Sequence, residues 1–112
     1  CDFWYGPAVL RDPPVTRERW IPAGTERISR KATPCIDFNS NSVQVSYELT
    51  TYRGEEALGV VRESHQMRYL FLPELELIGS LAQLKLVYSS DCCKIGQPPS
   101  EKTWTASTVF QG

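Results

Sequence analysis

The chain has 112 residues, 41% of them hydrophobic and 22% charged, with twelve basic and thirteen acidic side chains. That length sets one domain with a modest core, the composition excludes disorder, and the net charge of −1 lacks the basic excess of a protein that grips phosphate backbones. No apolar run approaches the roughly 20 residues that span a bilayer, and the first residue is Cys1 rather than Met, which reads as the start of a processed or trimmed chain.

Residues 1–14 read as an N-terminal tether or a first edge segment. The aromatic trio Phe3-Trp4-Tyr5 suits either a membrane interface or a first strand, and Pro13-Pro14 breaks whatever precedes it. Residues 15–112 read as one β domain. The segment 15–21 is short and basic around Trp20, Pro22-Ala23-Gly24 marks a turn, and 25–31 alternates weakly with charges that suit an edge strand. Pro34 leads into Cys35-Ile36-Asp37-Phe38, and the polar cluster 39–42 makes the next turn.

The clearest element follows. Val43, Val45, Tyr47 and Leu49 alternate with Gln44, Ser46, Glu48 and Thr50, the period of a strand with one dry and one wet face. Arg53-Gly54-Glu55-Glu56 is a turn, 58–62 a short strand with Gly59 as a bulge, and 66–72 a strand apolar on both faces, hence central or covered. The stretch 74–88 supports two patterns. Pro73, Glu74 and the stripe Leu75, Ile78, Leu81 and Leu84 fit a short helix near 73–84. Gly79-Ser80 and the alternation of Leu84, Leu86 and Tyr88 favour two strands instead. Residues 89–102 form a loop, and 103–110 closes the chain as a strand rich in threonine. About seven or eight short strands without a secure helix predict a small β-sandwich, with a small β-barrel as the alternative. An immunoglobulin domain is disfavoured, since no Trp follows Cys35 at short range and no Tyr stands two residues before Cys92 or Cys93.

Four cysteines, at positions 1, 35, 92 and 93, lack Cys-x-x-Cys spacing, and the single histidine, His65, is remote from all of them in sequence. A zinc site is therefore not expected. A bridge from Cys35 to Cys92 or Cys93 closes a loop of about sixty residues, worth ~4 kcal/mol in the chain-entropy model. Cys1 then takes the remaining thiol or, as in bacterial lipoproteins, carries a lipid. Bridged cysteines favour an oxidising compartment.

No catalytic constellation is visible. Ser64 and His65 are neighbours whose side chains point apart on a strand. Glu74 and Glu76 are too close for an inverting glycosidase pair, no calcium loop accompanies Glu55-Glu56, and Gly54, Gly59 and Gly79 form no phosphate-cradling loop. Contact candidates remain. Arg17, Arg19 and Trp20 have interface chemistry, and Gln97, Pro98 and Pro99 lie on a loop that a bridge at Cys92 or Cys93 pins. The sequence thus predicts a non-catalytic, exported protein-binding module without cofactor or metal. Its first form is an envelope lipoprotein at the periplasmic face of a bacterial membrane, attached through Cys1 and accessory to secretion or envelope assembly. The alternatives are a secreted effector or toxin that binds a host target, and an inhibitor or immunity protein. The expected partner is another protein, not nucleic acid.

Overall fold

A computed structural model describes residues 1–112. Its elements in chain order are β1 (Asp2–Tyr5), α1 (Gly6–Arg11), β2 (Arg17–Ala23), β3 (Glu26–Asp37), β4 (Ser42–Arg53), β5 (Glu56–Leu70), α2 (Leu72–Leu81), β6 (Lys85–Asp91) and β7 (Thr105–Gln111). The seven strands form one mixed sheet in the order β2-β3-β4-β5-β1-β7-β6. The chain divides into two compact units. One joins Cys1–Pro13 to Arg68–Gly112, and the other is Pro14–Met67.

This architecture overturns the β-sandwich and β-barrel expectation. One sheet replaces two packed layers, and β1 pairs in parallel with β5 (Trp4 opposite Tyr69, Tyr5 opposite Leu70) while pairing antiparallel with β7. Parallel neighbours require a crossover connection, here made by α1 and the β2–β4 meander. The aromatic trio is accordingly an inner strand with a neighbour on each side, not a tether or an edge. The Cys1 backbone nitrogen also donates to Thr108 O at 2.9 Å.

In the first unit, alternation along β1 sends Phe3 and Tyr5 to one face. Phe3, Leu75 and Ala106 are buried together, with Tyr5, Leu70, Leu72 and Phe110 packed around them. Both helices start with proline in the first turn, where the missing N–H costs no hydrogen bond. Glu74 in the first turn of α2 complements the positive end of the helix dipole. Residues 72–81, for which two strands were favoured, are helical because Leu75 and Gly79, four apart, make one buried stripe. Gly79 looked like a helix breaker, but it is a contact residue. A Cβ there would stand 2.6 Å from the Phe110 ring, so only glycine lets that ring close on the helix. Gly6 does the same for Phe71, whose ring would lie 2.5 Å from an added Cβ. Leu77, Ile78 and Leu81 on the other side of α2 stay exposed.

The second unit is an antiparallel meander. β2 is its edge strand, while β3, which the sequence suggested as an edge, is paired along both sides. Residues 58–62 and 66–72 were read as separate strands, but β5 is continuous over fifteen residues. β4 contains the alternating segment 43–50, with Val43 and Val45 buried. Gly24 (φ 67°) and Gly54 (φ 61°) turn the two hairpins in the left-handed region that glycine enters without strain.

Candidate functional site

In the second unit the two sheet faces differ in charge. Glu18 on β2 stands opposite Lys31 on β3, and Lys31 stands opposite Glu48 on β4. Glu48 accepts from Arg62 on β5 at 3.1 Å. Acid and base thus alternate across four strands. The next rung, on the opposite face, begins with Arg19 directly against Arg30, and Arg30 faces Leu49. Arg17, two residues along β2, lies on the same face opposite Ala32, which faces Tyr47. No carboxylate balances these arginines by an ion pair.

Tyr47 is the centre of that face. The Arg30 guanidinium stacks 4.7 Å from its ring centroid, and the His65 ring meets it edge-on at 5.5 Å. His65 Nε2 lies 3.2 Å from Glu63 Oε2. Three open grooves share Tyr47. One of about 350 Å³ is bordered by Arg17, Glu18, Arg19, Arg30 and Ala32. A second of about 380 Å³ runs over Ile28, Leu49 and Val61 on the same face, whereas the third, of about 390 Å³, lies over Lys31, Ser46, Glu48 and Arg62 of the opposite face. The Arg17, Arg19 and Arg30 guanidinium groups that border the first groove can hold an anion.

The predicted site residues separate. Arg17 and Arg19 belong to the Tyr47 face. Trp20 points the other way, where its ring packs 5.6 Å from Tyr52 and carries Arg27 at 4.7 Å. Ser64 and His65 also diverge as expected: Ser64 Oγ accepts from Gln44 Nε2 at 2.9 Å, away from Tyr47. Gln97, Pro98 and Pro99 lie in the first unit, on the loop after β6. No bridge pins that loop, because Cys1, Cys35, Cys92 and Cys93 are all free thiols. Its base is held by Asp91 instead. The carboxylate accepts the Cys93 N–H at 2.9 Å and the Thr103 hydroxyl at 3.0 Å, and the Asp91 N–H donates to Gln97 O at 2.9 Å. The bond from the Cys93 amide, followed by the Thr103 hydroxyl and the Lys94 charge, holds the Asp91 carboxyl below its ordinary value against the opposing effect of burial. Sequence reading missed Tyr47, Arg30 and His65 as a cluster. Residue parity carried part of the signal, but the register that sets Arg30 against Arg19 did not show.

No protein-family model matches the chain, and no curated protein does. Solved structures do. An S-adenosylmethionine-dependent methyltransferase from Clostridium acetobutylicum ATCC 824 superposes with TM-score 0.67 at 14% identity, over 98% of this chain and 42% of its own. The CcbJ methyltransferase from Streptomyces caelestis does so with TM-score 0.67 at 15% identity, over 98% of this chain and 44% of its own. The chain therefore spans less than half the length of these neighbours. At such identities the likeness is one of fold. That fold is one that enzymes use, which removes the basis for a non-catalytic exported binding module. All four thiols are free, so the disulfide reading falls, and neither neighbour supports the lipoprotein reading.

Proposed function

We propose that the chain is the acceptor-side portion of an S-adenosylmethionine-dependent methyltransferase. The observation that carries this reading is the superposition of 98% of the chain on two such enzymes. The Tyr47 face supports the acceptor side rather than the cofactor side. S-adenosylmethionine brings a sulfonium and an ammonium besides its one carboxylate, so its cradle needs free carboxylates or carbonyls for the two cations. On the grooves around Tyr47 the acids are engaged: Glu48 with Arg62, Glu63 with His65, and Glu18 with the Ser29 hydroxyl. Arg17, Arg19 and Arg30 face the same space and repel a cation. These residues do not fit the cationic sulfonium of the cofactor.

The test is cofactor binding by the protein that carries these residues. S-adenosylhomocysteine at about one hundred times its dissociation constant stabilises a binding protein by about 2.7 kcal/mol, a shift of several degrees in melting temperature. We expect that shift, together with transfer of labelled methyl groups to a small-molecule acceptor. A melting curve that stays put at saturating S-adenosylhomocysteine overturns the methyltransferase reading.

A further inference from the structure

We infer that the groove framed by Arg17, Arg19 and Arg30 beside Tyr47 binds a small organic molecule through a carboxylate or phosphate group. Like charges directly opposite in an antiparallel pair destabilise a sheet, and Arg19 and Arg30 are such a pair. The neighbouring rung, Glu18 against Lys31, shows that the same two strands otherwise match opposite signs. The charge is local, because the whole chain is at −1. It is also partly preorganised. Arg30 is half-buried and stacked on Tyr47, so little rotamer freedom is lost when its planar fork meets an oxyanion. Arg17 and Arg19 are exposed, and neither makes an ion pair or a hydrogen bond, which leaves their donors free for a ligand.

The acidic groups near this face do not neutralise it. Glu18 borders the groove, but it alternates to the opposite face, where it stands across from Lys31 and its Oε1 accepts Ser29 Oγ at 2.9 Å. Glu63 lies beyond Tyr47 and meets His65. A groove of about 350 Å³ matches the size of small-molecule sites. Identification of the ligand as a methyl acceptor rests on the methyltransferase reading. Anion binding itself does not.

The probes are phenyl phosphate, benzoate and the neutral benzyl alcohol, titrated into the whole chain at low salt and followed by backbone amide shifts. Millimolar binding of at least one anion is expected, perturbing residues 17–19, 30 and 47 and weakening as salt screens the arginines. The tighter of the two anions sets the ligand as a phosphate or a carboxylate. Arg19→Gln and Arg30→Gln should each weaken binding by about fivefold or more. Arg62→Gln removes the same charge from the opposite face and should leave affinity unchanged. Equal loss in Arg62→Gln, equal binding of benzyl alcohol, or no binding by either anion overturns the site. Anion binding without an S-adenosylhomocysteine shift keeps the site and removes only its assignment to an acceptor.

Discussion

The two units are stabilised in different ways. The first encloses a core: Phe3, Leu75 and Ala106 are buried with Tyr5, Leu70, Leu72 and Phe110 around them, and helices cover the strands. The second is a ladder of backbone hydrogen bonds that buries Val43 and Val45 but leaves many large side chains in solvent, including Trp20 at 48% and Val61 at 59% exposure. Its buried residues include the small polar Ser29, Ser42 and Thr50. The difference teaches where sequence is free to serve a ligand. Residues that fill a core are constrained by volume, whereas residues on an exposed sheet face are constrained mainly by register. Arginines can accumulate on the second unit without disturbing packing.

The largest expected effect breaks this comparison into two aromatic deletions. Phe3→Ala leaves a cavity in the first unit and should cost about 3–5 kcal/mol, near the whole stability of a small domain. Trp20→Ala removes a larger side chain, but one that is half exposed and held by the Tyr52 ring and the Arg27 cation, and should cost about 1–2 kcal/mol. Urea midpoints of the two variants check the ranking. A Trp20→Ala loss equal to that of Phe3→Ala would show that the second unit hides a core of its own.

A second contrast concerns what holds a loop. Four thiols suggest staples, yet the turn at Cys92 and Cys93 hangs from the Asp91 carboxylate. A carboxyl whose folded pKa is depressed adds stability that is full above its unfolded pKa and is lost as pH falls through the folded one. The Cys93 amide resonance should therefore titrate with a midpoint below the ordinary value of 3.8. Asp91→Asn should abolish that titration and loosen residues 92–103. A Cys93 midpoint at or above the ordinary value would mean that the carboxylate does not hold the turn. Asp37 and Glu101 are also depressed, by the Ser40 side-chain bond and by Glu101's own backbone N–H foremost. Global acid unfolding sums all three groups, so the local resonance is the sharper readout.

The same contrast explains what could be read from sequence. The second unit announced itself, since period two at Val43, Val45, Tyr47 and Leu49 is a property of a single strand. The first unit hid its fold. Its parallel rung, Trp4–Tyr69 and Tyr5–Leu70, joins segments far apart in sequence and leaves no periodic trace. In α2, Gly79 reads as a break until Phe110 is known to press on it. Counting aromatics, prolines and cysteines suggested a tether or an edge strand and one or two bridges, because composition says nothing about which neighbour a strand finds. The basic face was half legible. Parity along β2 separates Arg17 and Arg19 from Trp20, but only the hairpin register at Gly24 brings Arg30 against Arg19.

The smallest expected effect tests that register directly and has the opposite sign to the others. Arg19 and Arg30 face each other across β2 and β3, and relief of a like-charge cross-strand pair is worth a few tenths of a kcal/mol. Arg19→Gln should therefore raise the melting temperature slightly at low ionic strength, and added salt should erase the gain by screening the pair in the parent. Arg62→Gln breaks the ion pair with Glu48 and should be neutral or slightly destabilising. A surface face shaped only for stability predicts the reverse order, with Arg19→Gln costing stability at any salt. If the substitution stabilises the fold while weakening phenyl phosphate binding, the two arginines are held together at the expense of the sheet, which is the signature expected of a site kept for its ligand.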